Sequence, residues 1–421
     1  MKDKLFKAFR SRNYRLYFFG QSFSLVGTWM QRTAVYWLVY EISGSAFVVG
    51  ITVFCAQFPS FLLSILGGVV SDRYNRFRVL LFTQVASLVQ ALALALLVFQ
   101  GGYALWHILV LTVVLGAINA FDVPARQALV YEMVDQKEHL ANAIALNSSM
   151  VNVARLVGPA LSGIVLEKFG ADICFLSNAF SFLAVIISLL MMRLARYVPR
   201  ERQASVVTDL KEGFRYLRKT PEISKVMLML AAMSLIALPF ITLLPVYAGE
   251  IFHGGASTFG LLNTFVGVGA VIGALFLASM KPGTNLKRVL FRCTLVFAVG
   301  LMAFSYLESF RIAAIFLMIA GFGMMAQTTI CNTLIQITVA IPMRGRVISF
   351  YAMAFFGMQP IGGLLVGSAA DLIGAPLTVL LQGVATLVIA ILFFPFLRKD
   401  IIFRRYRLKI KQMEERLLEN T

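Results

Sequence analysis

The sequence predicts an all-α membrane protein with twelve transmembrane helices in two pseudo-symmetric six-helix bundles. Composition, periodic apolar segments and an internal repeat lead to this fold class. Of the 421 residues, 59% are hydrophobic and only 14% are charged, whereas soluble proteins average about 45–50% and 25%. The mean hydropathy of +0.81 excludes a water-soluble globule. Because a spanning helix needs roughly 20 apolar residues, the chain is long enough for a dozen.

Twelve apolar segments follow one another along the chain, separated by polar connectors. The first is too long for the core of a cleaved signal peptide, so we expect it to stay in the mature chain. The predicted spans are 14–40, 46–70, 79–99, 104–125, 141–166, 173–193, 225–249, 257–280, 288–308, 311–337, 347–370 and 374–397.

The basic residues give this bundle an orientation. If the N-terminus is inside, 34 of the 38 Lys and Arg residues fall in cytoplasmic segments. The positive-inside rule then places both termini in the cytoplasm, and we expect the cytoplasmic (inner) membrane of a bacterium. The net charge of +18 could also indicate nucleic acid, but no basic domain stands apart from the spans. Anionic lipids are therefore the expected partners of these charges, and nucleic acid is not.

An internal repeat divides the chain into halves. A shift of 210 positions superimposes Ala46 on Ala256 and Gly50 on Gly260. A shift of 204 superimposes Gly158 on Gly362, Gly163 on Gly367 and Glu167 on Asp371. Because order and spacing are kept, two parallel bundles are predicted. The predicted regions are an N-terminal bundle over 1–193, a cytoplasmic linker over 194–224 with an amphipathic helix at Val206–Lys219, a C-terminal bundle over 225–397, and a basic cytoplasmic tail over 398–421.

Small residues recur on helix faces in the second half. Gly269 and Gly273 in the eighth span, and Gly363 and Gly367 in the eleventh, are spaced by four residues. Such pairs let helix backbones approach closely in lipid. Static helix packing is the more ordinary explanation of any one pair, so the repeat carries the argument.

The sequence offers no cofactor, metal or enzyme site. Three histidines, His107, His139 and His253, are scattered, and the four cysteines fall singly inside apolar stretches. Neither set has metal-ligand spacing. No His-Glu-x-x-His run or nucleophile with a nearby base occurs in the polar loops, so a membrane enzyme is disfavoured.

The loop after the second span carries the most specific motif. It reads Gly68-Val69-Val70-Ser71-Asp72-Arg73-Tyr74-Asn75-Arg76 and resembles the loop signature of the major facilitator superfamily. The resemblance implies a transporter of twelve helices with alternating access. Asn75 stands where the family has a glycine, and because Asn tolerates left-handed backbone, we expect the turn to survive.

Four residues of this loop are expected to control conformation. Gly68 would permit a close helix crossing, and Asp72 would face the positive N-terminal end of the eleventh span as a cytoplasmic latch. Arg73 and Arg76 would add charge pairs and bind lipid phosphate. Alternatively, the loop is only a basic connector on the inner side.

Further motifs narrow the resemblance. The run from Arg155 to Gly163 contains Gly158-Pro159 and resembles the Gly-Pro motif of exporter branches; a bend is expected there because proline weakens a helix. Together with Gly27-Thr28-Trp29-Met30-Gln31-Arg32, it makes residues 10–397 similar to the enterobactin-exporter-like (transmembrane secretion effector) branch. That resemblance implies outward movement of siderophores, drugs or other amphipathic molecules.

Polar groups inside the spans are the candidate substrate-binding residues, because ionisable side chains are costly in a bilayer. Arg32, in the outer part of the first span, and Arg155, near the middle of the fifth, would attract an anionic group. Alternatively, Arg32 reaches the headgroups and Arg155 pairs with a carbonyl or an acid. Uncharged candidates for the cavity lining are Gln57, Asn119, Asn147, Asn152, Asn263, Gln327 and Gln359. Alternatively, many of these side chains only form hydrogen bonds between helices.

Two acids are candidates for proton coupling. Asp122 and Arg126 share a helix face at i and i+4, and we expect them to form a gate ion pair although Pro124 intervenes. Asp122 could instead take a proton during coupling. Glu41, at the outer end of the first span, is the other candidate carrier.

These observations favour a monomeric secondary active transporter that exports a small amphipathic molecule in exchange for protons. One alternative keeps the fold but moves a lysophospholipid or imports its substrate. A channel or a membrane enzyme is the alternative class.

Overall fold

The computed structural model of the chain describes residues 7–194, 206–281 and 283–398. Within these ranges the chain forms helices joined by short connections and contains no strand, which confirms the predicted all-α class. The predicted tail from residue 399 onward, and residues 195–205 of the predicted linker, lie outside the described residues.

Six helices form the first half of the chain and run alternately up and down. They are α1 (Arg12–Ser43), α2 (Ala46–Arg73), α3 (Arg76–Gln100), α4 (Leu105–Met133), α5 (Leu140–Phe169) and α6 (Ala171–Leu190). Helices α1 and α5 are parallel, since Tyr14 Oη donates to the carbonyl of Ala143 and Ser162 Oγ donates to that of Met30. The ends of α1 and α5 therefore lie at the same side, which we call the α1–α2 end.

In the described part of the second half, eight α-helices are nine residues or longer, and each of the twelve predicted spans overlaps a helix. The helices are α7 (Val206–Lys219), α8 (Pro221–Ile236), α9 (Ala256–Ala278), α10 (Leu286–Phe304), α11 (Phe310–Thr338), α12 (Arg344–Ala352), α13 (Met358–Ile373) and α14 (Ala375–Arg398).

Two of the predicted spans are irregular, for reasons that lie in their prolines. The seventh span leaves α8, continues as a 3-10 helix over Leu238–Leu243 and ends in a π turn at Tyr247–Ile251. The eleventh passes from α12 to α13 through a π turn at Met353–Gly357. Pro239 lies in the first irregular stretch, and Pro360 follows the second. A proline lacks the amide donor and clashes with the carbonyl four residues earlier, which interrupts regular α-helix.

Ten helical segments of the described chain are long and apolar enough to cross a membrane. The sequences of α1 and α10 are too polar for these helices to be among the ten, although both coincide with predicted spans. The start of α10 carries Lys287, Arg288 and Arg292. Helix α1 buries polar side chains such as Gln21 and Gln31 against the protein, so its low hydropathy reflects an interior position.

The first of two compact units combines residues Met1–Gln203, Ile241–Gly267 and Gly363–Ala375. It therefore contains α1–α6 together with the first part of α9 and the last part of α13. Its core near the N-terminus packs Tyr14, Leu80, Met133 and Leu189. In this unit α1 packs on α5 and α6, and α4 packs on α2 and α3.

The second unit combines Ala204–Phe240, Val268–Gly362 and Pro376–Thr421. In it, α10 packs closely against α11, and Gly269 and Gly273 of α9 lie against the α11 backbone at Met318 and Phe322. This confirms the close approach expected of that glycine pair. The amphipathic α7 docks on α12, where Arg346 Nη1 lies 2.7 Å from Glu212 Oε2.

Asn75 departs from its predicted conformation. Its φ is −61° and its ψ is 112°, an extended backbone, so the expected left-handed turn is wrong. Instead its side-chain oxygen accepts from the amide of Arg78 at 3.1 Å and caps the start of α3. Asn285 caps α10 in the same way through Arg288, at 3.2 Å. Both residues are needed as helix N-caps, a role that Asn fills well.

The close crossing assigned to Gly68 is also wrong. A Cβ added to Gly68 would meet nothing within 4 Å. The neighbouring Gly67 makes the crossing, because its Cβ would overlap the carbonyl oxygen of Ala120 on α4. Successive residues of a helix point about 100° apart, so one position decides which of two glycines faces the neighbouring helix.

We predict opposite effects from Gly67→Ala and Gly68→Ala. The first substitution forces α2 and α4 apart and should cost about 1–3 kcal/mol of stability, as overpacking does. The second meets open space and should be neutral or stabilising by up to about 1 kcal/mol, because Ala is the better helix former. Thermal unfolding of the two purified variants, compared with the parent chain, measures the difference. Equal melting temperatures would contradict the assignment of the crossing to Gly67.

Candidate functional site

A cluster of aromatic and cationic side chains lies near the middle of α1. Trp29, Arg32 and Tyr36 are spaced by three and four residues and share one helix face. The guanidinium carbon of Arg32 lies 5.1 Å from the Trp29 ring centroid and 5.5 Å from that of Tyr36. Its Nε donates to the Tyr36 hydroxyl at 3.1 Å. Arg32 is therefore held over aromatic faces and does not extend freely to the lipid headgroups.

Arg155 of α5 joins this cluster from the opposite helix. Its guanidinium carbon also lies 5.1 Å from the Trp29 ring centroid. Arg155 is within about one residue of the midpoint of α5, and Arg32 is about five residues from that of α1. At 1.5 Å per residue these offsets are a few ångströms, so both charges lie deep in the helix bundle.

A glycine brings the two helices together at this point. A Cβ added to Gly158 would lie 2.5 Å from the Cβ of Trp29 and 3.1 Å from the carbonyl oxygen of Val26. Close approach at Gly158 places Trp29 against the turn of α5 that begins at Arg155. The structure thus assigns the glycine of the Gly-Pro run a packing role, while its predicted bending role stays a prediction.

The charges of the cluster have no acidic partner among the described residues. In the described ranges, neither Arg32 nor Arg155 has a carboxylate at ion-pair distance, and the buried Nε of Arg155 has no hydrogen-bond partner. An arginine at mid-helix in a membrane costs about 2.5–3.5 kcal/mol, whereas a cation–π contact returns about 0.5–2 kcal/mol. The aromatic contacts therefore offset only part of the cost, and the cluster favours an anionic ligand.

A buried amide network supports α1 behind the cluster. Gln31 donates to Gln90 Oε1 at 3.0 Å and accepts from Asn178 Nδ2 at 2.7 Å. Gln90 in turn donates to the carbonyl of Leu111 at 3.1 Å. These bonds join α1, α3, α4 and α6 next to Arg32 and fix its helix. Sequence reasoning missed this network, although three amides in apolar spans are the signal for it.

The expected pair between Asp122 and Arg126 is present in the structure. Arg126 Nη2 lies 3.2 Å from Asp122 Oδ2, and α4 continues through Pro124. Asp122 is only 4% exposed. It also accepts from Thr83 Oγ1 at 3.0 Å and from Gln84 Nε2 at 2.6 Å. One cation and two neutral donors engage this carboxylate and tie α4 to α3, while the gate and proton-coupling roles of Asp122 stay predictions.

The basic loop after α2 is partly paired. Arg76 Nη1 lies 2.7 Å from Glu132 Oε1 at the end of α4, and its Nε donates to the carbonyl of Ser71. Arg73 is exposed. The loop therefore ties α2 to α4 through Arg76. The latch role of Asp72 stays a prediction.

Helices α2 and α13 cross closely at the α1–α2 end. A Cβ on Gly50 would lie 2.5 Å from the carbonyl oxygen of Gly363, and one on Gly367 would lie 2.6 Å from that of Ala46. Beyond this crossing, Asp371 covers the N-terminus of α2. Its carboxylate accepts from the amides of Ala46 at 2.8 Å and Phe47 at 3.3 Å, and from the Ser45 hydroxyl.

Helices α5 and α9 repeat this arrangement. A Cβ on Gly260 would lie 2.6 Å from the carbonyl oxygen of Pro159, and one on Gly163 would lie 3.0 Å from that of Ala256. Here Glu167 covers the N-terminus of α9, where its Oε2 accepts from the amide of Ser257 at 3.2 Å.

The two crossings are related by the sequence repeat. The shifts of 210 and 204 positions map one set of contacts onto the other. Under them Ala46 corresponds to Ala256, Gly50 to Gly260, Pro159 to Gly363, Gly163 to Gly367 and Glu167 to Asp371. We call the two carboxylate contacts, Asp371 with residues 45–47 and Glu167 with Ser257, the paired caps. The sequence contained their signal, since it aligned Glu167 with Asp371 and Ala46 with Ala256.

A third contact lies at the same end. Tyr40 Oη, near the end of α1, donates to Glu250 Oε1 at 3.0 Å. A Cβ on Gly249 would lie 2.9 Å from the Tyr40 ring, so glycine is required for this approach. Trp37 stacks on Phe259 with ring centroids 6.0 Å apart. Sequence reasoning gave none of these residues a role.

Four of the uncharged candidates make hydrogen bonds within the protein. Asn147 accepts from Tyr14 near the start of α1, and Asn152 and Asn263 bond to carbonyls four residues earlier in their own helices. Gln327 donates to the sulfur of Cys331, and its Oε1 is buried without a partner. Structural hydrogen bonds thus account for part of the predicted lining. Gln57, Asn119 and Gln359 are half-buried.

Glu41, the second candidate proton carrier, is exposed at the α1–α2 end. Its neighbour there is Tyr103, in the loop before α4. Burial raises the pKa of the Tyr103 hydroxyl, and the charge of Glu41 adds to the shift. Glu41 is therefore reachable from solvent at this end but distant along α1 from Trp29.

Comparison with known proteins places the chain among transporters. A family model described as Transmembrane secretion effector matches residues 4–409. The Staphyloferrin A transporter of Staphylococcus aureus is 27% identical over 401 residues, 94% of this chain and 98% of the relative. The Multidrug efflux pump Tap of Mycolicibacterium fortuitum is 24% identical over 86% of this chain and 91% of the relative.

A solved structure shares the fold. It is a POT family transporter in complex with 5-aminolevulinic acid, with a TM-score of 0.70 over 92% of this chain and 97% of that chain. Its sequence is 13% identical, so the likeness concerns the fold alone. Relatives and family are transporters and not enzymes, and the chain is a multi-pass membrane protein.

We predict that Gly158→Ala displaces Trp29. The new methyl group would overlap the Trp29 Cβ, and separation of α1 from α5 should cost about 1–3 kcal/mol. With Trp37 and Trp106 replaced by Phe, Trp29 is the single tryptophan, so a shifted emission maximum and a lowered melting temperature report the change. Gly345→Ala meets nothing within 4 Å and is the control. An unaltered spectrum in Gly158→Ala would refute the packing role.

Proposed function

The chain belongs to the transmembrane secretion effector family of the major facilitator superfamily, and from this membership we propose that it is a proton-coupled exporter. It carries a small amphipathic molecule, such as a siderophore or a drug, out across the cytoplasmic membrane by alternating access. The relatives named as a siderophore transporter and a drug efflux pump support the class of cargo. The paired caps carry the argument for the mechanism.

The paired caps supply a reversible closure at the α1–α2 end. Each places a carboxylate from the end of one helix on the amides that begin another. Such contacts are worth roughly 0.5–2 kcal/mol each, so they stabilise one state without trapping it. The glycine crossings beneath them let helix backbones slide without losing large side-chain contacts. With the N-terminus inside, this end faces the exterior, and the caps hold the exporter closed to the outside.

The opposite end contains the predicted inner gate. Asp72 acts there as a latch on the eleventh span, supported by the pair of Arg76 with Glu132. The pair of Asp122 with Arg126 stiffens α4 at the same depth. Breaking and reforming these contacts in alternation with the caps would expose the site to one compartment at a time.

The cargo binds at Arg32, Arg155 and Trp29. Both charges are uncompensated by described protein groups, and both lie near helix midpoints, where transporters bind substrate. Half-buried Gln57, Asn119 and Gln359 remain candidates for the wall. The amide network of Gln31 positions the helix rather than the cargo.

Protons are the proposed coupling ion. Asp122 is held by one cation and two neutral donors, so loss of its charge would weaken its ion pair with Arg126. Glu41 is exposed and can exchange protons with the exterior, but it is far from the site. Both stay candidates, and the transport assay below separates them. Anionic lipid binds the basic residues of the inner side, to which the tail and α7 contribute 12 of the 34 Lys and Arg residues counted there.

We predict that a disulfide across one cap stops transport. In a cysteine-free background, Ser45→Cys with Asp371→Cys joins two side chains that already touch, and oxidation should fix the α1–α2 end shut. Reduction with dithiothreitol should restore flux, measured as uptake into inside-out vesicles. Each single-cysteine variant is the matched control. Undiminished flux in fully cross-linked protein would show that this end does not open.

We also predict accumulation driven by an imposed pH gradient. Proteoliposomes with the cytoplasmic face outward should take up cargo against its gradient when their lumen is acidic, and nigericin should abolish this uptake. If Asp122 carries the proton, Asp122→Asn loses gradient-driven uptake but keeps passive exchange; if Glu41 does, Glu41→Gln behaves so instead. Uptake only into right-side-out vesicles would favour an importer. Uptake of lysophospholipid from a panel of cargoes would favour a lysophospholipid transporter. Flux that does not saturate with cargo concentration would favour a channel.

A further inference from the structure

The arrangement of Arg32, Trp29 and Arg155 specifies more than a negative charge. Each guanidinium carbon lies 5.1 Å from the same indole centroid, so the two carbons are at most about 10 Å apart. A ligand that touches both guanidinium groups therefore also lies close to the Trp29 indole. The site presents a cation, an aromatic surface and a second cation.

The two arginines differ in the hydrogen bonds that their Nε atoms make. The Nε of Arg32 already donates to the Tyr36 hydroxyl. Arg155 has a buried Nε without any partner. A carboxylate fits the edge of a guanidinium through two parallel hydrogen bonds, so Arg155 is prepared to receive one. The remaining donors of Arg32 can take a second.

We infer that the cargo is an organic polycarboxylic acid with two carboxylates separated by an apolar linker, one bound by Arg155 and the other by Arg32, with the linker against Trp29. This inference rests on the proposed export function, because it names the chemical class of the molecule that the same site carries. A compact inorganic anion fits less well, since it offers no surface to the indole.

Binding is tested on the full chain in lipid nanodiscs, independently of transport. Trp37→Phe with Trp106→Phe leaves Trp29 as the fluorophore at the site. The probes are the linear dicarboxylates from succinate to sebacate, each compared with its own monoamide, and inorganic phosphate. Saturable change in Trp29 emission should appear for the dicarboxylates, with tightest binding at one intermediate chain length. Each monoamide should bind roughly tenfold to a hundredfold more weakly, because one charged pair is lost.

Variants test whether binding depends on these two arginines or only on positive charge. Arg155→Lys keeps the charge and loses the two-pronged contact, so it should weaken the best dicarboxylate about tenfold or more while the protein still folds. Arg32→Gln should reduce affinity for the dicarboxylate to that for its monoamide. Arg311→Gln, at an exposed cation at the start of α11, should leave affinity unchanged.

Three results would overturn the inference. They are equal affinity for each dicarboxylate and its monoamide, phosphate binding as tight as the best dicarboxylate, and affinity unchanged in both Arg155→Lys and Arg32→Gln. Its failure is distinguishable from failure of the proposed function. Gradient-driven export of neutral molecules with no dicarboxylate binding would remove only the cargo class, whereas tight dicarboxylate binding without any flux would remove only export.

Discussion

Close approach of helix backbones is the constraint on which this structure depends. Lipid tails are as apolar as a protein interior, so helices in a membrane gain little free energy by burying apolar side chains. Their association relies on close packing and on polar contacts. Gly67 against Ala120, Gly158 against Trp29, and the two crossings below the paired caps all place backbone or Cβ atoms where a side chain would not fit. The functional groups follow from these approaches: Gly158 brings Arg155 to Trp29, and Gly50 and Gly260 set the register in which Asp371 and Glu167 reach their amides.

Charge is distributed over this frame in two distinct ways. Asp122 is buried with a cation and two neutral donors, so its contacts are complete within the protein. Arg32 and Arg155 have aromatic neighbours and no described carboxylate. The first arrangement stabilises a helix, whereas the second leaves binding capacity for a ligand. The contrast explains why only one of the two kinds of intramembrane charge is assigned to cargo.

The sequence could predict the fold further than the site. Hydropathy located twelve apolar segments that each overlap a helix, because backbone groups in lipid must bond within their own helix, and the repeat aligned Glu167 with Asp371. The sequence could not show which of Gly67 and Gly68 makes the close helix crossing. Both lie in one apolar run, and the position of α4 determines which of them faces it. The sequence did leave open that polar groups in the spans only hydrogen-bond between helices, and the bond from Tyr14 to Asn147 is of this kind. Trp29 was visible beside Arg32, but its contact with Arg155 depends on a crossing between segments more than a hundred residues apart.

The paired caps are alike in register but unequal in strength. Asp371 engages two amides and a hydroxyl, while Glu167 engages one amide. The start of α2 is therefore held by three hydrogen bonds to one carboxylate and the start of α9 by one, so the two copies of a repeated contact differ in how firmly they fix their helices.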